Sequence, residues 1–169
     1  MSKGSQVRSY DYVNHPYEQV RAALTKDARA VFQAATTAAA ARAHSIASQL
    51  RVNIAGIEVA TDIAIAVTHI EEGAQGATSA PATRLQLEWA AAKSPRLFPF
   101  MRAELSIYPL TATETQLDFS GTYEPPLGAV GSAMNALIGH RIAEVSVHRF
   151  VTEVAEYLRT ALAKTAAGG

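Results

Sequence analysis

The sequence contains no cysteine, which excludes disulfides, thiolate metal sites and cysteine nucleophiles together. It has no excess charge of either sign: fifteen Lys and Arg balance fifteen Asp and Glu. The electrostatic footprint of a nucleic-acid or anionic-membrane binder is therefore missing, and nucleic acid is not an expected partner. No run reaches the roughly 18 apolar residues that a membrane span requires. Met1 to Arg8 is polar with no apolar signal core behind it, so the expectation is a cytoplasmic protein without a membrane span. The five histidines, His15, His44, His69, His140 and His148, form no HExxH pair, and His140 and His148 stand two turns apart without a third ligand at metal spacing. No metal or other cofactor is expected. A Gly-x-Ser-x-Gly elbow is absent. Gly128-Ala-Val-Gly131 lacks both the third glycine of a dinucleotide fingerprint and the Gly-Lys-Ser/Thr of a nucleotide loop, and reads as a helix start.

What is present fits one domain spanning residues 1–169, with an ordered core over about 5–164. Alanine is abundant between Ala28 and Ala47, so the large core side chains are fewer than the hydrophobic fraction suggests. Ser5 to Val13 mixes aromatic and β-branched residues and predicts a first strand. Asn14 and Pro16 open a short helix over about 16–25, with Val20, Ala23 and Leu24 on one face. Asp27 can cap a second helix that buries Val31, Phe32 and Ala35 and runs to about Ala43. The period then changes to two. Ile46 to Ile54 predicts a half-solvated strand, Gly56 a turn, and Ile57 to Ile70 a strand covered on both sides. Glu71 to Pro81 reads as a loop by its Gly, Ser and Pro content. Ala82 to Ala91, Leu97 to Leu110 and Thr113 to Glu124 each alternate between a dry and a wet face. After Pro125-Pro126-Leu127-Gly128 the helical period returns and persists to about Lys164. The dry face of the sheet is then expected to be covered by this long helix.

The last helix changes its apolar side along its length. From Ala143 onward, Ala143, Val147, Phe150, Val151, Val154, Leu158 and Ala161 share one face, while Glu144, His148, Arg149, Glu153, Glu156 and Arg159 take the other. Before Gly139 the core-facing direction carries Ala129, Ser132, Ala133 and Ala136, then His140, whereas Val130, Met134, Leu137, Ile138, Ile142 and Val145 project away. Two arrangements fit: small residues leave a void over the sheet while the outer stripe meets a partner, or a break near Gly139 turns the large residues inward as a lid. A third account is plain close packing of a small-residue face.

The segment Thr115-Gln-Leu-Asp-Phe-Ser-Gly-Thr-Tyr123-Glu-Pro-Pro-Leu-Gly128, followed by His140-Arg-Ile-Ala-Glu-Val-Ser-Val-His-Arg-Phe150, resembles the polyketide cyclase and lipid-transport (START-like, SRPBCC) superfamily. Asn14-His15-Pro16 with Val20 and Leu24 is similar to the opening of the same fold. The resemblance implies an α+β helix-grip fold: a curved antiparallel sheet of about six or seven strands, two short helices after the first strand and one long C-terminal helix. It also implies an apolar pocket between sheet and helix, occupied across the superfamily by lipids, sterols, plant hormones and polyketide intermediates. No catalytic motif of an enzymatic branch transfers residue by residue.

The expected walls are Leu87, Trp89, Met101, Leu105, Phe119 and Tyr123, with Met134 and His140 from the last helix. His140, Tyr123 and the Trp89 indole are the polar groups expected to converge on an otherwise apolar site. Three functions remain open: a binding or carrier module for a small hydrophobic ligand, a cyclase- or aromatase-like enzyme with His140 and Tyr123 as an acid-base pair, and an interaction domain. The last would form a homodimer or bind another protein through Val130, Met134, Ile138, Ile142 and Val145.

Overall fold

Alternation of apolar and polar side chains builds the sheet, and alanine-rich and amphipathic segments build the helices that cover it. The computed structural model describes residues 4–26, 28–49, 63–74, 80–91, 100–124 and 136–168. In chain order these form β1 (Ser5–Val13), α1 (Tyr17–Lys26), α2 (Ala28–Gln49), β2 (Ile63–Ala74), β3 (Pro81–Ala91), β4 (Phe100–Thr111), β5 (Glu114–Glu124) and α3 (Ala136–Ala167). The strands make one sheet in the order β1-β5-β4-β3-β2, with every pairing antiparallel. The first strand follows the last in the sheet, so α1 and α2 carry the chain from one edge to the other. The expected α+β helix-grip architecture is present, with one strand fewer among the described residues than the lower expected count.

The missing strand is a correction. Ile46 to Gln49, expected to open a strand, continue α2. The alternation there was too short to compete with a helix already nucleated and built largely of alanine, to which each further residue adds at little cost. Residues 50–62 lie outside the described residues, and so does the rest of that expected strand. A second correction concerns 71–74, read as loop but paired as strand: Glu71 opposes Arg84, Glu72 Thr83, Gly73 Ala82 and Ala74 Pro81. Backbone pairing extends the hairpin wherever the partner strand continues, and Pro81, which has no N–H to donate, sits at the first position of β3. β2 is also not covered on both sides, because Ala66, Thr68 and Ile70 are exposed, Thr68 at a bulge between Val67 and His69. Among the described residues, no layer covers the outer face of this edge strand.

The wet face of the sheet carries cross-strand polar pairs: Gln86 donates to Glu104 at 2.7 Å, and Arg102 approaches Glu88 at 3.3 Å. The dry face carries Val7, Val13, Leu85, Leu87, Met101, Ala103, Leu105, Ile107, Leu117, Phe119 and Tyr123, all buried. Its cover is shared. α3 packs on β1 and on α2, and α2 reaches β2, so the terminal helix does not cover the sheet alone as the sequence suggested. Val147, Phe150, Val151, Val154 and Leu158 of α3 meet Val31, Phe32 and Ala35 of α2 and the sheet in one core. Short alanine side chains on α2 let the two helices approach closely.

The polar side of α3 is not wholly solvent-facing either. Arg159 donates to Asp11 Oδ1 at 2.9 Å and to the Tyr12 carbonyl at 2.6 Å, and the Ser9 hydroxyl lies 3.3 Å from His148 Nδ1. His148 stays exposed on the outer side expected of it, while Arg159 is drawn to half-burial against β1. The inner positions of β1 are themselves polar at Ser9 and Asp11, so an edge of the helix that would otherwise meet water meets hydrogen-bond partners instead.

Candidate functional site

The register of α3 against the sheet sets the geometry. His140 lies by Tyr123, whose sheet neighbour is Ser5; His148 lies by Ser9; Arg159 lies by Asp11. The helix therefore runs alongside β1 in the same direction, and its N-terminal half sits over the Tyr123 end of the sheet. Strand pairing stacks the inner residues in rows at that end. One row is Trp89, Met101, Tyr123 and Ser5, and the next is Leu87, Ala103, Gly121 and Val7. Beyond it come Leu85, Leu105, Phe119 and Ser9, then Thr83, Ile107, Leu117 and Asp11.

Solvent contact along this face is graded. Leu85, Leu105, Ile107, Leu117 and Phe119 are fully enclosed at 0% exposure, whereas Leu87, Val7, Met101, Tyr123 and Ala103 retain 3 to 7%. The enclosed end is closed by the protein's own side chains: the Phe150 ring of α3 meets Phe119 edge-on at 5.6 Å. The other end has smaller residues in its second row, Ala103 and Gly121. A Cβ at Gly121 would lie 2.8 Å from Met101 Sδ and 3.0 Å from Phe119 Cε1, so glycine is what lets these two side chains lean across the row.

Of the expected wall residues, Leu87, Met101, Leu105, Phe119 and Tyr123 all line the inner face. Leu105 and Phe119 are at 0% exposure, and Leu87, Met101 and Tyr123 keep 3 to 5%. Trp89 belongs to the first row by its backbone, but its side chain lies outside the described residues. Val130 and Met134 lie outside them too, as do the side chains of Ile138 and Ile142, while Val145 is half-buried.

The two polar groups expected to converge are brought together. Tyr123 Oη lies 3.5 Å from His140 Nδ1, and the rings are near parallel, 28° apart with centroids at 6.4 Å. The other nitrogen of the ring, Nε2, faces Glu144 Oε1 at 3.8 Å, one turn along the helix. Tyr123 is buried; the side chains of His140 and Glu144 are about half exposed, 44% and 52%. Phenol, imidazole and carboxylate thus form a line from the interior to the surface. Sequence reasoning assigned Glu144 to the solvent face and missed this link. The available signal was the i,i+4 spacing to His140, which places the two side chains side by side on a helix. Among the described residues, no three His, Asp or Glu side chains converge as a metal site would need, and no helix is long and apolar enough to cross a membrane.

No protein-family model and no curated protein sequence matches the chain. Several solved structures resemble it at low identity. The Zhui aromatase/cyclase from Streptomyces sp. R1128 is 10% identical, with 94% of this chain and 95% of that one covered at a TM-score of 0.46. Ara h 8.0201 is 6% identical over 92% of this chain and 98% of that one, at 0.43. TTHA0849 from Thermus thermophilus is 15% identical over 93% and 99%, at 0.42. By its element order, its antiparallel strand order and the terminal helix laid along the inner face, the chain has an α+β helix-grip fold.

Proposed function

We propose that this chain is a cytoplasmic binding or carrier module for a small hydrophobic ligand, lipid- or polyketide-like, held between the inner face of the sheet and the N-terminal half of α3. The observation that carries the reading is the gradient of enclosure on that face. Phe150 meets the Leu105 row at Phe119 and Tyr17 of α1 meets the Ile107 row at Thr83, whereas Leu87, Ala103, Met101 and Tyr123, apolar or aromatic and inward-facing, keep 3 to 7% exposure. Apolar surface of this kind gains about 25 cal/mol for each Å² that a guest removes from water. A mostly apolar wall with a few polar groups at one end is the usual constitution of a small-molecule site.

A plug tests this directly. In Ala103→Leu the added carbons enter the second row, between Leu87 and Gly121. If that row borders open space, the variant keeps wild-type stability to within about 1 kcal/mol, whereas overpacking a filled core costs about 1–3 kcal/mol. The wild type should melt at a higher temperature with saturating 2-methylnaphthalene, because a ligand that binds only the folded state stabilises it. The plugged variant should not. A strongly destabilised Ala103→Leu together with no thermal shift in the wild type would refute the reading.

A second reading, an enzyme that moves a proton on a guest held in the same place, is favoured by one observation: Tyr123 and His140 touch. Phenol and imidazole can each move a proton on a guest that comes within hydrogen-bond reach of both.

A further inference from the structure

We infer that Tyr123, His140 and Glu144 form a hydroxyl-specific clamp, so that the preferred guest is an apolar molecule bearing an alcohol or phenol at one end. The inference rests on the proposed binding site and narrows its ligand.

The argument runs through the tautomer of one imidazole. Glu144 Oε1 faces His140 Nε2 at 3.8 Å. A carboxylate can only accept, so the proton of a neutral ring is favoured on Nε2 and Nδ1 is left as an acceptor. Nδ1 is the nitrogen that faces the Tyr123 hydroxyl. At 3.5 Å that contact is at the outer limit of a hydrogen bond, where ordinary O–H···N partners lie at about 2.8 Å. Neither group is therefore held tightly by the other.

An oxygen atom of a guest placed about 2.8 Å from both would put two short bonds in place of the one long contact. The imidazole is half exposed, so its side of the clamp is open to solvent. That oxygen must accept from the phenol and donate to Nδ1. A hydroxyl does both, through Tyr123 O–H to guest oxygen and guest O–H to Nδ1, with Nε2–H directed at Glu144. A carbonyl or ether oxygen can accept but has no proton for Nδ1, and a methyl group satisfies neither side. The clamp lies in the first row, between Met101 and Ser5. A guest anchored there would lay its apolar body over Met101, Ala103 and Leu87, while its polar end stays near the half-exposed ring. Glu144 touches no guest and is a positioning residue.

Naphthalene probes that differ in one substituent separate the inference from the reading beneath it. Affinities of the full chain for 2-naphthol, 2-methylnaphthalene and 2-acetylnaphthalene would be measured by titration calorimetry or by fluorescence. The wild type should prefer 2-naphthol over 2-methylnaphthalene by about tenfold, the size expected of a buried hydroxyl with both partners met. Tyr123→Phe and His140→Ala should each reduce that preference to about twofold or less, whatever each does to the affinity for 2-methylnaphthalene itself. The ratio within each variant guards against a general loss of fold. For Glu144, the readout is the imidazole nitrogen resonances of His140. Glu144→Ala should shift them away from the Nε2–H form and weaken 2-naphthol alone, and Glu144→Gln, whose amide oxygen still accepts, should restore both. If all three probes bind and neither Tyr123→Phe nor His140→Ala changes the preference, the clamp is wrong and the apolar site stands. If 2-acetylnaphthalene is preferred over 2-naphthol, the tautomer assignment is wrong and the clamp falls. If no probe binds, the binding reading fails and takes the clamp with it.

Discussion

Replacing Phe150 by alanine should lower the free energy of unfolding by about 3–5 kcal/mol, the range for deleting an enclosed aromatic ring. The ring is fully buried and touches two others: it stacks on Phe32 of α2 at 6.0 Å and meets Phe119 of β5 edge-on at 5.6 Å. Each such pair contributes about 0.5–1.5 kcal/mol beyond the area it buries. The consequence is larger than one side chain, because helix α3, helix α2 and the sheet meet at this ring. Its loss leaves a hole at the junction of all three, and backbone elements joined elsewhere cannot all collapse into it at once. Urea unfolding should show the midpoint falling with the slope unchanged, as for a pure stability effect. Phe150→Leu should recover part of the loss by refilling the hole with carbon. A fall of less than about 1 kcal/mol for Phe150→Ala would mean that the ring is not the keystone described.

The strands of this fold were legible in the sequence because a period of two is a direct readout of one wet and one dry face. Ser5 to Val13 matches the observed strand end to end, and β3 and β5 begin and end within one residue of expectation. The helix-strand boundary near Ile46 was not legible. There the decisive factor was a helix already formed upstream, which a local window does not register. The site shows the same division. Tyr123 and His140 could be paired in advance because each pointed, by its own periodicity, toward the space between sheet and helix. Glu144 could not be added, since a helical wheel places it only about 40° from His140 and at the border of the two faces. Which side of that border counts as solvent depends on what lies opposite. Opposite is an edge strand whose inner positions, Ser9 and Asp11, are polar, so the boundary of α3 is a hydrogen-bonded seam. Such facts belong to the pairing of elements distant in sequence and are absent from either element alone.

The second large effect also comes from a distant pair. Tyr17 Oη and Thr83 Oγ1 lie 2.6 Å apart, and both residues are buried, 7% and 0% exposed. This contact ties α1 to the inner row of Thr83, Ile107 and Leu117 at the sheet's enclosed end. Tyr17→Phe removes one partner and leaves the threonine hydroxyl in the core without it; Thr83→Val does the same to the phenol. Each should cost about 1–3 kcal/mol, because an unmet buried polar group keeps its desolvation penalty while losing its compensation. The double variant should cost clearly less than the sum, since phenylalanine against valine leaves no orphaned group and nearly conserves shape. The coupling read from the cycle should reach at least about 1 kcal/mol. Denaturant unfolding of the four proteins measures it. Strict additivity would show that the two hydroxyls answer to other partners, and that α1 is held on the sheet by Val20 and Leu24 alone. A coupling of the expected size would instead make this one hydrogen bond the device that fixes how α1 sits, because apolar contacts at Val20 and Leu24 tolerate sliding and a 2.6 Å bond between two buried oxygens does not.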